Sequence, residues 1–263
     1  MNQPRALILT LFVTAATFAA GQLAAQQAAV PKSDIVQRVE TALASDIRTP
    51  EERARDARER KPAQTLEFFG LTPDMHVVEL LPAGGWYTKI LGQVLADSGK
   101  LSLAIGASRL EPRLKEWKLD KVQIIDAKAD LKPSDQFGVF MADSIDIPAK
   151  DVDMVLTFRN YHNMTPATRA LLNQQAFKML RKGGIYGIVD HTRRHNEPGT
   201  VENWRRIDPV LVIKEVQAAG FELVDFSDLH YRVDDDLKYD TGRDSIKGYS
   251  DRLTLKFRKP ATR

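Results

Sequence analysis

The 263-residue chain contains no cysteine. This absence excludes disulfide bonds, thiolate nucleophiles and zinc sites built from cysteine. It is also compatible with an oxidising compartment, where free thiols are rare.

The chain also lacks a strong charge of either sign. It has 38 Lys+Arg and 35 Asp+Glu, a net charge of +3. So small a charge argues against nucleic acid and against an anionic membrane surface as partners. The 43% hydrophobic and 28% charged fractions are typical of a globular protein and exclude a disordered or fibrous chain.

Long apolar runs are absent except at the start of the chain. Arg5 precedes fifteen uncharged residues, 6–20, a run too short to span a bilayer comfortably. Small residues follow, so we expect a signal peptide, residues 1–25, cleaved after Ala25. Such a segment predicts a periplasmic or secreted protein with no stable membrane insertion after cleavage. The alternatives are an uncleaved membrane anchor or a disordered tail.

Residues 26–69 are predicted to form an N-terminal helical cap. Residues 33–44 have helical apolar spacing. Thr49, Pro50 and Glu52 form a capping-box start for a helix that should run to Pro62, and residues 63–69 form a short helix that ends at Gly70. The intervening segment contains Asp56 and Arg60, and it is interpreted either as a lid or as a solvated helix.

Residues 70–263 alternate between short apolar runs and helical segments. This βαβα order predicts an α/β domain with a parallel sheet and helices on both faces. A glycine pair at 183–184 is expected to end the helix that starts at Pro166. A loop, not a helix, separates the last two strands, so they are predicted to form an antiparallel hairpin at the sheet edge, with a half-exposed final strand.

Ligands of such sheets bind at the carboxyl ends of the strands. The first strand ends at Glu79, and a turn with Gly84 and Gly85 leads into a helix at Trp86. Glycines let a ligand approach the backbone, the helix start offers free amides, and a carboxylate attracts an ammonium group. The dinucleotide pattern G-x-G-x-x-G is absent, which argues against NAD. The alternative is a plain strand–helix turn.

Polar side chains also follow the fourth and fifth predicted strands: Asn160, His162, Asp190 and His191. A neutral imidazole accepts a proton near pH 7, so these four residues are the candidate catalytic group. Each histidine is alternatively a structural hydrogen-bond partner. His162, Asp190 and His191 together are also a plausible metal-binding set, which would favour a metal-assisted hydrolase.

The turn after the first strand resembles motif I of class I S-adenosylmethionine-dependent methyltransferases. Leu81 and Ala83 stand at its first two glycine positions, and Gly85 is retained. Residues 181–184 and 218–221 are similar to two further turns of that family. Residues 142–148 look like the stretch that contacts adenine through Asp143, with Asp126 as a competing candidate. The acid that usually binds the ribose is missing, and Ser108 replaces it.

A closer resemblance is to a group of exported bacterial proteins described as predicted methyltransferases. Its features appear at residues 56–62, 79–87, 158–163, 189–191 and 206–209, and the match covers residues 46–259.

The resemblance implies a Rossmann-like, doubly wound, seven-stranded and mostly parallel sheet with an antiparallel edge strand. It implies methyl transfer from S-adenosylmethionine to a small-molecule substrate. The cofactor-binding residues that it implies are Glu79, Pro82, Ala83, Gly84, Gly85, Tyr87, Ser108, Asp143 and Arg159. Because the glycine motif is degraded, the ribose acid is missing and an export signal is predicted, the alternative is an exported, non-catalytic ligand-binding protein.

Overall fold

The computed structural model describes residues 32–261. The predicted signal peptide, residues 1–25, lies outside this range. Within it, no helix is both long enough and apolar enough to cross a membrane.

Between residue 32 and the sheet lie three α-helices: α1 (Asp34–Leu43), α2 (Pro50–Ala54) and α3 (Pro62–Phe69). The predicted capping box is present, since Thr49 and Glu52 bond to each other's backbone N–H groups. The predicted helix up to Pro62 is broken: one π-helical turn, Asp56–Arg60, follows α2, and Lys61 has a left-handed φ of 38°. Pro62 explains why helical backbone stops at Lys61, because a proline disfavours that backbone at the preceding residue.

Four further helices follow: α4 (Trp86–Val94), α5 (Glu111–Glu116), α6 (Pro166–Met179) and α7 (Pro209–Ala218). The strands are β1 (His76–Leu80), β2 (Lys100–Ala104), β3 (Gln123–Ile124), β4 (Lys132–Pro133), β5 (Phe140–Met141), β6 (Val152–Phe158), β7 (Leu180–His191), β8 (Glu222–Phe226) and β9 (Arg252–Arg258).

Seven strands form one sheet in the order β3-β2-β1-β6-β7-β9-β8, and β4 and β5 form a separate antiparallel pair. In the large sheet only β9 runs antiparallel to its neighbours β7 and β8. The predicted fold class, with its antiparallel pair at one edge, is confirmed.

The final strand is not half-exposed as predicted, because β9 lies between β7 and β8. Leu253, Leu255 and Phe257 are buried on one face. The N-terminal helices cover the other face: Lys256 donates a 2.9 Å hydrogen bond to the Phe68 carbonyl, and Arg252 donates to the Glu59 carbonyl. The polar side of the strand is therefore an interior interface.

The glycine pair at 183–184 does not end α6, which stops at Met179. Lys259 donates to the carbonyls of Phe177 and Leu180, both at 2.7 Å. These bonds supply a donor for carbonyls that have no partner within the helix at its C-terminal end. Residues 180–191 then form one strand whose pairing with β6 shifts register near Val152.

Two apolar cores lie on opposite faces of the sheet. On one face, residues such as Val39, Leu66 and Ile90 pack the N-terminal helices and α4 against the strands. On the other, residues such as Leu172 and Val212 pack α6 and α7. The helices therefore fix the strand ends where the predicted site residues lie.

Candidate functional site

The turn after β1 holds two non-glycine residues in left-handed backbone, a conformation that favours glycine. Leu81 and Ala83 have left-handed φ values of 53° and 51°, and Gly85 has 80°. For an L-residue this conformation costs about 1–2 kcal/mol. Two such residues in one turn mark stored strain of the kind that clusters at ligand sites.

Strained backbone also follows β2 and β6. Ile105 and Arg159 have φ values of 60° and 61°. At Gly84 and Gly106 an added Cβ would meet no atom within 4 Å. The carboxyl ends of β1, β2 and β6 therefore combine left-handed backbone with open space beside two glycines.

A cavity of about 280 Å³ opens beside this turn, and we call it the glycine-turn cavity. Its lining residues are Glu52, Arg55, Arg60, Glu79, Leu81, Pro82, Ala83, Gly84, Trp86, Tyr87, Phe158 and Arg159. The structure thus brings together six predicted cofactor residues: Glu79, Pro82, Ala83, Gly84, Tyr87 and Arg159. Gly85 is adjacent but buried against the Trp117 ring.

Arg60 and Arg159 place two positive charges on this cavity. Each has a buried Nε with no hydrogen-bond partner, and neither forms an ion pair with any residue in the described range. Arg60 lies over the Trp86 ring at 4.2 Å. Burial and the neighbouring Arg159 hold the pKa of Arg60 well below its ordinary value. The pair is therefore suited to an anionic ligand group, which would offset this cost.

Glu79 lies on the same cavity and is only 2% exposed. It accepts a 2.6 Å hydrogen bond from the Thr88 hydroxyl. Burial raises the pKa of Glu79 to about 8, so the side chain is mostly protonated at pH 7. A bound ammonium group would favour the ionised form.

Tyr87 forms a wall of the cavity by stacking on Phe158, with ring centroids 3.6 Å apart and planes within 7°. Its hydroxyl donates to the Arg60 carbonyl at 3.4 Å. Tyr87 and Trp86 are both buried, and both also line the cavity.

The segment with Asp56 and Arg60 supplies one wall of the cavity. Arg60 lines it, together with Glu52 and Arg55, whereas Asp56 forms a two-bond ion pair with Arg48 at 2.7 Å. The sequence pattern did not identify Glu52 or Arg55 as site residues, because alternating charges are equally typical of a solvated helix.

A second cavity of about 630 Å³, the Ser108 cavity, lies beyond β2 and β3. Ser108, Gly106 and Asp126 all line it. Asp143 does not: its side chain is 82% exposed beside β5 and lies 3.8 Å from Lys132. Of the two acids that the sequence offered for adenine, the structure brings Asp126, not Asp143, next to Ser108.

Asn160 links the ends of two strands. Its side-chain amide donates to the carbonyls of Leu81 and Phe158, both at 3.0 Å. These bonds hold the strained Leu81 backbone against the end of β6. In this structure Asn160 positions the turn.

His162 and Asp190 form a buried pair. Nδ1 of His162 lies 2.5 Å from Oδ1 of Asp190, and the fully buried carboxylate also accepts from the backbone N–H groups of His162 and His191. In a neutral imidazole, a carboxylate at Nδ1 selects the tautomer with the proton there and leaves Nε2 as an acceptor. Nε2 has no partner among residues 32–261.

His191 has a different environment. Its Nδ1 lies 2.8 Å from the Ser250 hydroxyl, and its ring centroid is 5.8 Å from that of His162. Burial, with Arg252 nearby, holds the pKa of His191 well below its ordinary value, so the ring is neutral. In the described part of the chain, no three His, Cys, Asp or Glu side chains are grouped to hold a metal ion.

A third cavity of about 620 Å³, the His162 cavity, borders the His162 ring. Arg193, Trp204 and Arg206 also line it. Neither arginine was a candidate site residue in the sequence, although Arg206 lies in the segment 206–209 that resembles the exported group. One feature of the sequence could have identified Arg193 as a site residue: it lies two residues after His191, just beyond the end of a strand.

Arg206 on this cavity has a buried partner: its guanidinium donates two 2.9 Å hydrogen bonds to the carboxylate of Asp235.

No protein-family model matches the sequence, and no curated protein matches it. Solved structures with a similar fold include a SAM-dependent methyltransferase from Aquifex aeolicus, at 13% identity and TM-score 0.54, covering 85% of this chain and 98% of that one. The [4+2]-cyclase SpnF has 14% identity and TM-score 0.53, covering 86% and 94%. The pyocyanin biosynthetic protein PhzM has 12% identity and TM-score 0.51, covering 86% and 62%. Together with the strand order, these similarities show that the chain has the class I methyltransferase fold.

Proposed function

We propose that this protein is an exported S-adenosylmethionine-dependent methyltransferase that acts on a small-molecule acceptor. One observation carries the proposal: the short loop after β6 contributes Arg159 to the glycine-turn cavity and His162 to the His162 cavity. A group-transfer enzyme needs two ligand sites that share a boundary, with a candidate base on the acceptor side.

The residues that line the glycine-turn cavity and the Ser108 cavity fit the cofactor. Arg60 and Arg159 would bind the carboxylate of its methionine part, and Glu79 would bind the ammonium group. Gly84 leaves open space at the turn. Ser108 and Asp126 offer a hydroxyl and a carboxylate for the nucleoside part.

When bound, the cofactor supplies an electrophilic methyl group: the acceptor–methyl bond forms as the carbon–sulfur bond breaks, and sulfur keeps the electron pair. His162 would take the acceptor's proton at Nε2. Asp190 would hold the ring in position and stabilise the imidazolium. Asn160 would keep the turn in place through Leu81.

Calorimetric titration with S-adenosylmethionine and S-adenosylhomocysteine tests the proposal. We expect binding that weakens at least tenfold in Arg159→Gln, because a hydrogen bond to a charged group contributes about 1.5–3 kcal/mol. Arg181→Gln is the control, since Arg181 pairs with Asp153 on the surface, outside the three cavities. No heat and no thermal shift at millimolar ligand would overturn the proposal.

Export is the second part of the proposal, and the apolar run after Arg5 supports it. Amino-terminal sequencing of the protein recovered from the periplasm or medium should begin at Gln26. Recovery of the intact amino terminus from the cytoplasm would contradict it.

A non-catalytic ligand-binding protein is the second candidate. The lack of an acid after β2 favours it, and a cyclase among the similar structures illustrates that this fold does not fix the reaction. The two candidates differ in turnover: only a methyltransferase loses activity in His162→Gln while it retains cofactor binding.

A further inference from the structure

The His162 cavity has an aromatic wall. The rings of Phe137 and Trp204 meet edge to face with centroids 5.3 Å apart, and Trp204 also lies 6.3 Å from the His162 ring. The Trp204 Nε1 donates to Asp240 at 2.8 Å, which fixes the ring. Phe137 is 70% exposed although it borders a cavity. An exposed aromatic edge beside a fixed indole is suited to a flat, apolar ligand.

Three arginines also line this cavity, and two of them are neutralised within the chain. Arg169 forms two bonds with Glu215, at 2.7 and 2.6 Å. Arg206 is paired with the buried Asp235. Their charges are therefore not available to a ligand at full strength.

Arg193 is the third arginine, and it has no ion-pair partner among residues 32–261. Its Nη1 donates a long 3.3 Å bond to the Arg206 carbonyl, and its Nε is buried without a partner. Burial lowers the pKa of Arg193, which indicates that the charge is held at a cost.

The carboxylates near Arg193 do not offset this charge through an ion pair. Asp208 is bonded to His195 and to two backbone N–H groups, and Glu197 forms no ion pair with Arg193. Asp135 also lines the cavity, but it is exposed, where water and salt screen it.

We propose that the His162 cavity binds a hydroxylated aromatic acid, with the ring against Phe137 and Trp204 and the acid group on Arg193. This inference rests on the proposed function, since it names the acceptor class for that reaction. The hydroxyl faces Nε2 of His162, which takes its proton as the oxygen–methyl bond forms and the cofactor's carbon–sulfur bond breaks. An unpaired guanidinium favours a carboxylate over a neutral group, and this preference sets the specificity.

Titration with 6-hydroxy-2-naphthoate and with 2-naphthol tests the proposal, because the two probes share rings and hydroxyl and differ in the carboxylate. We expect the purified protein to bind the naphthoate at least tenfold more tightly. Arg193→Gln should abolish that preference and leave 2-naphthol binding within about twofold. Arg193→Lys should restore part of the preference. Trp204→Leu should weaken both probes.

Arg194→Gln is the matched control, since Arg194 is the next residue, is exposed and lies outside the cavity. Equal affinity for the two probes, no binding of either, or an unchanged preference in Arg193→Gln would overturn the inference. Titrating S-adenosylmethionine into the same samples separates the two proposals. Cofactor binding without naphthoate binding overturns only the acceptor class, whereas naphthoate binding without cofactor binding overturns the methyltransferase.

Discussion

Nδ1 of His162 lies 2.5 Å from the carboxylate of Asp190, and the opposite edge of the ring borders a cavity. If His162 is the base, His162→Gln should lower single-turnover methyl transfer by about 10²–10⁴-fold. Cofactor affinity should stay unchanged, because His162 is not on the glycine-turn cavity. Single-turnover assays with saturating cofactor measure the first effect, and calorimetry the second.

The chain offers a matched control for this substitution. His195 pairs with Asp208 at 2.9 Å, but its side chain is 54% exposed and lines none of the three cavities. His195→Gln should leave turnover within about twofold. Equal losses in the two variants would contradict a specific role for His162.

Glu79 predicts a pH-dependent stability. The pKa is about 8 in the folded protein against an ordinary value of 4.5. Below pH 4.5 Glu79 is protonated in both the folded protein and the unfolded chain. Between 4.5 and 8 the unfolded chain releases it first, so the free energy of unfolding falls as pH rises and levels off above 8. In Glu79→Gln this decline should disappear, and calorimetric melts from pH 5 to 8.5 would show a gap in Tm that widens with pH. A constant gap would contradict the buried, protonated carboxyl.

The same group predicts a pH-dependent cofactor affinity. If Glu79 binds the ammonium group in its ionised form, binding below pH 8 must first remove the proton from Glu79. Affinity for S-adenosylmethionine should rise by up to about tenfold per pH unit between pH 6 and 7.5. The slope should vanish in Glu79→Gln, which binds weakly at every pH. Titrations in buffers of different ionisation enthalpy would detect the released proton.

Ala83 is expected to gain stability on replacement by glycine. The φ of 51° at Ala83 costs the folded protein about 1–2 kcal/mol, and glycine removes this strain. Glycine also loses more backbone entropy on folding, which offsets about 0.5–1 kcal/mol of the gain. Ala83→Gly should therefore raise the free energy of unfolding by about 0.5–1 kcal/mol in urea titrations. Ala170→Gly, at an exposed site inside α6, should instead lower it by about 1 kcal/mol. A loss at both positions would show that the turn is not strained.

The buried pair of Arg206 and Asp235 predicts a large loss on breaking it. Arg206→Met leaves the carboxylate buried without its partner, at a cost of about 3–5 kcal/mol. Arg243 and Glu202 form a comparable pair in which both side chains are about half exposed. Arg243→Met should cost less than about 1 kcal/mol. Similar losses in the two variants, measured by denaturant unfolding, would contradict the importance of burial.

Much of the fold was predictable because its signals are local. Apolar runs located the large strands, the Thr49 capping box is present as expected, and Gly70 follows the end of α3. The errors are at the places where distant segments meet. The β9 strand looked half-exposed because its polar residues face helices that lie almost 200 residues earlier; Arg252 and Glu59 are 193 positions apart.

The candidate site was predictable in part for the same reason. Polar residues after strand ends identified Glu79, His162 and Asp190, since parallel strands bring their carboxyl ends to one edge. Which neighbours these residues face was not encoded locally. His162 bonds to a residue 28 positions away, and His191 to Ser250, 59 positions away. Sequence spacing therefore grouped the two histidines, and the structure gives them different partners.

The sequence by itself determined the order of helices and strands and the residue types at the strand ends, because periodicity, capping and turn chemistry act over a few residues. Only the tertiary structure decided that Leu81 and Ala83 take left-handed backbone. It also decided that Arg60, Arg159 and Arg193 lie at cavities with no ion-paired carboxylate among residues 32–261. Backbone strain and uncompensated charge are held in place by packing from distant segments. Local sequence patterns do not predict that packing, because it depends on contacts between residues far apart in the chain.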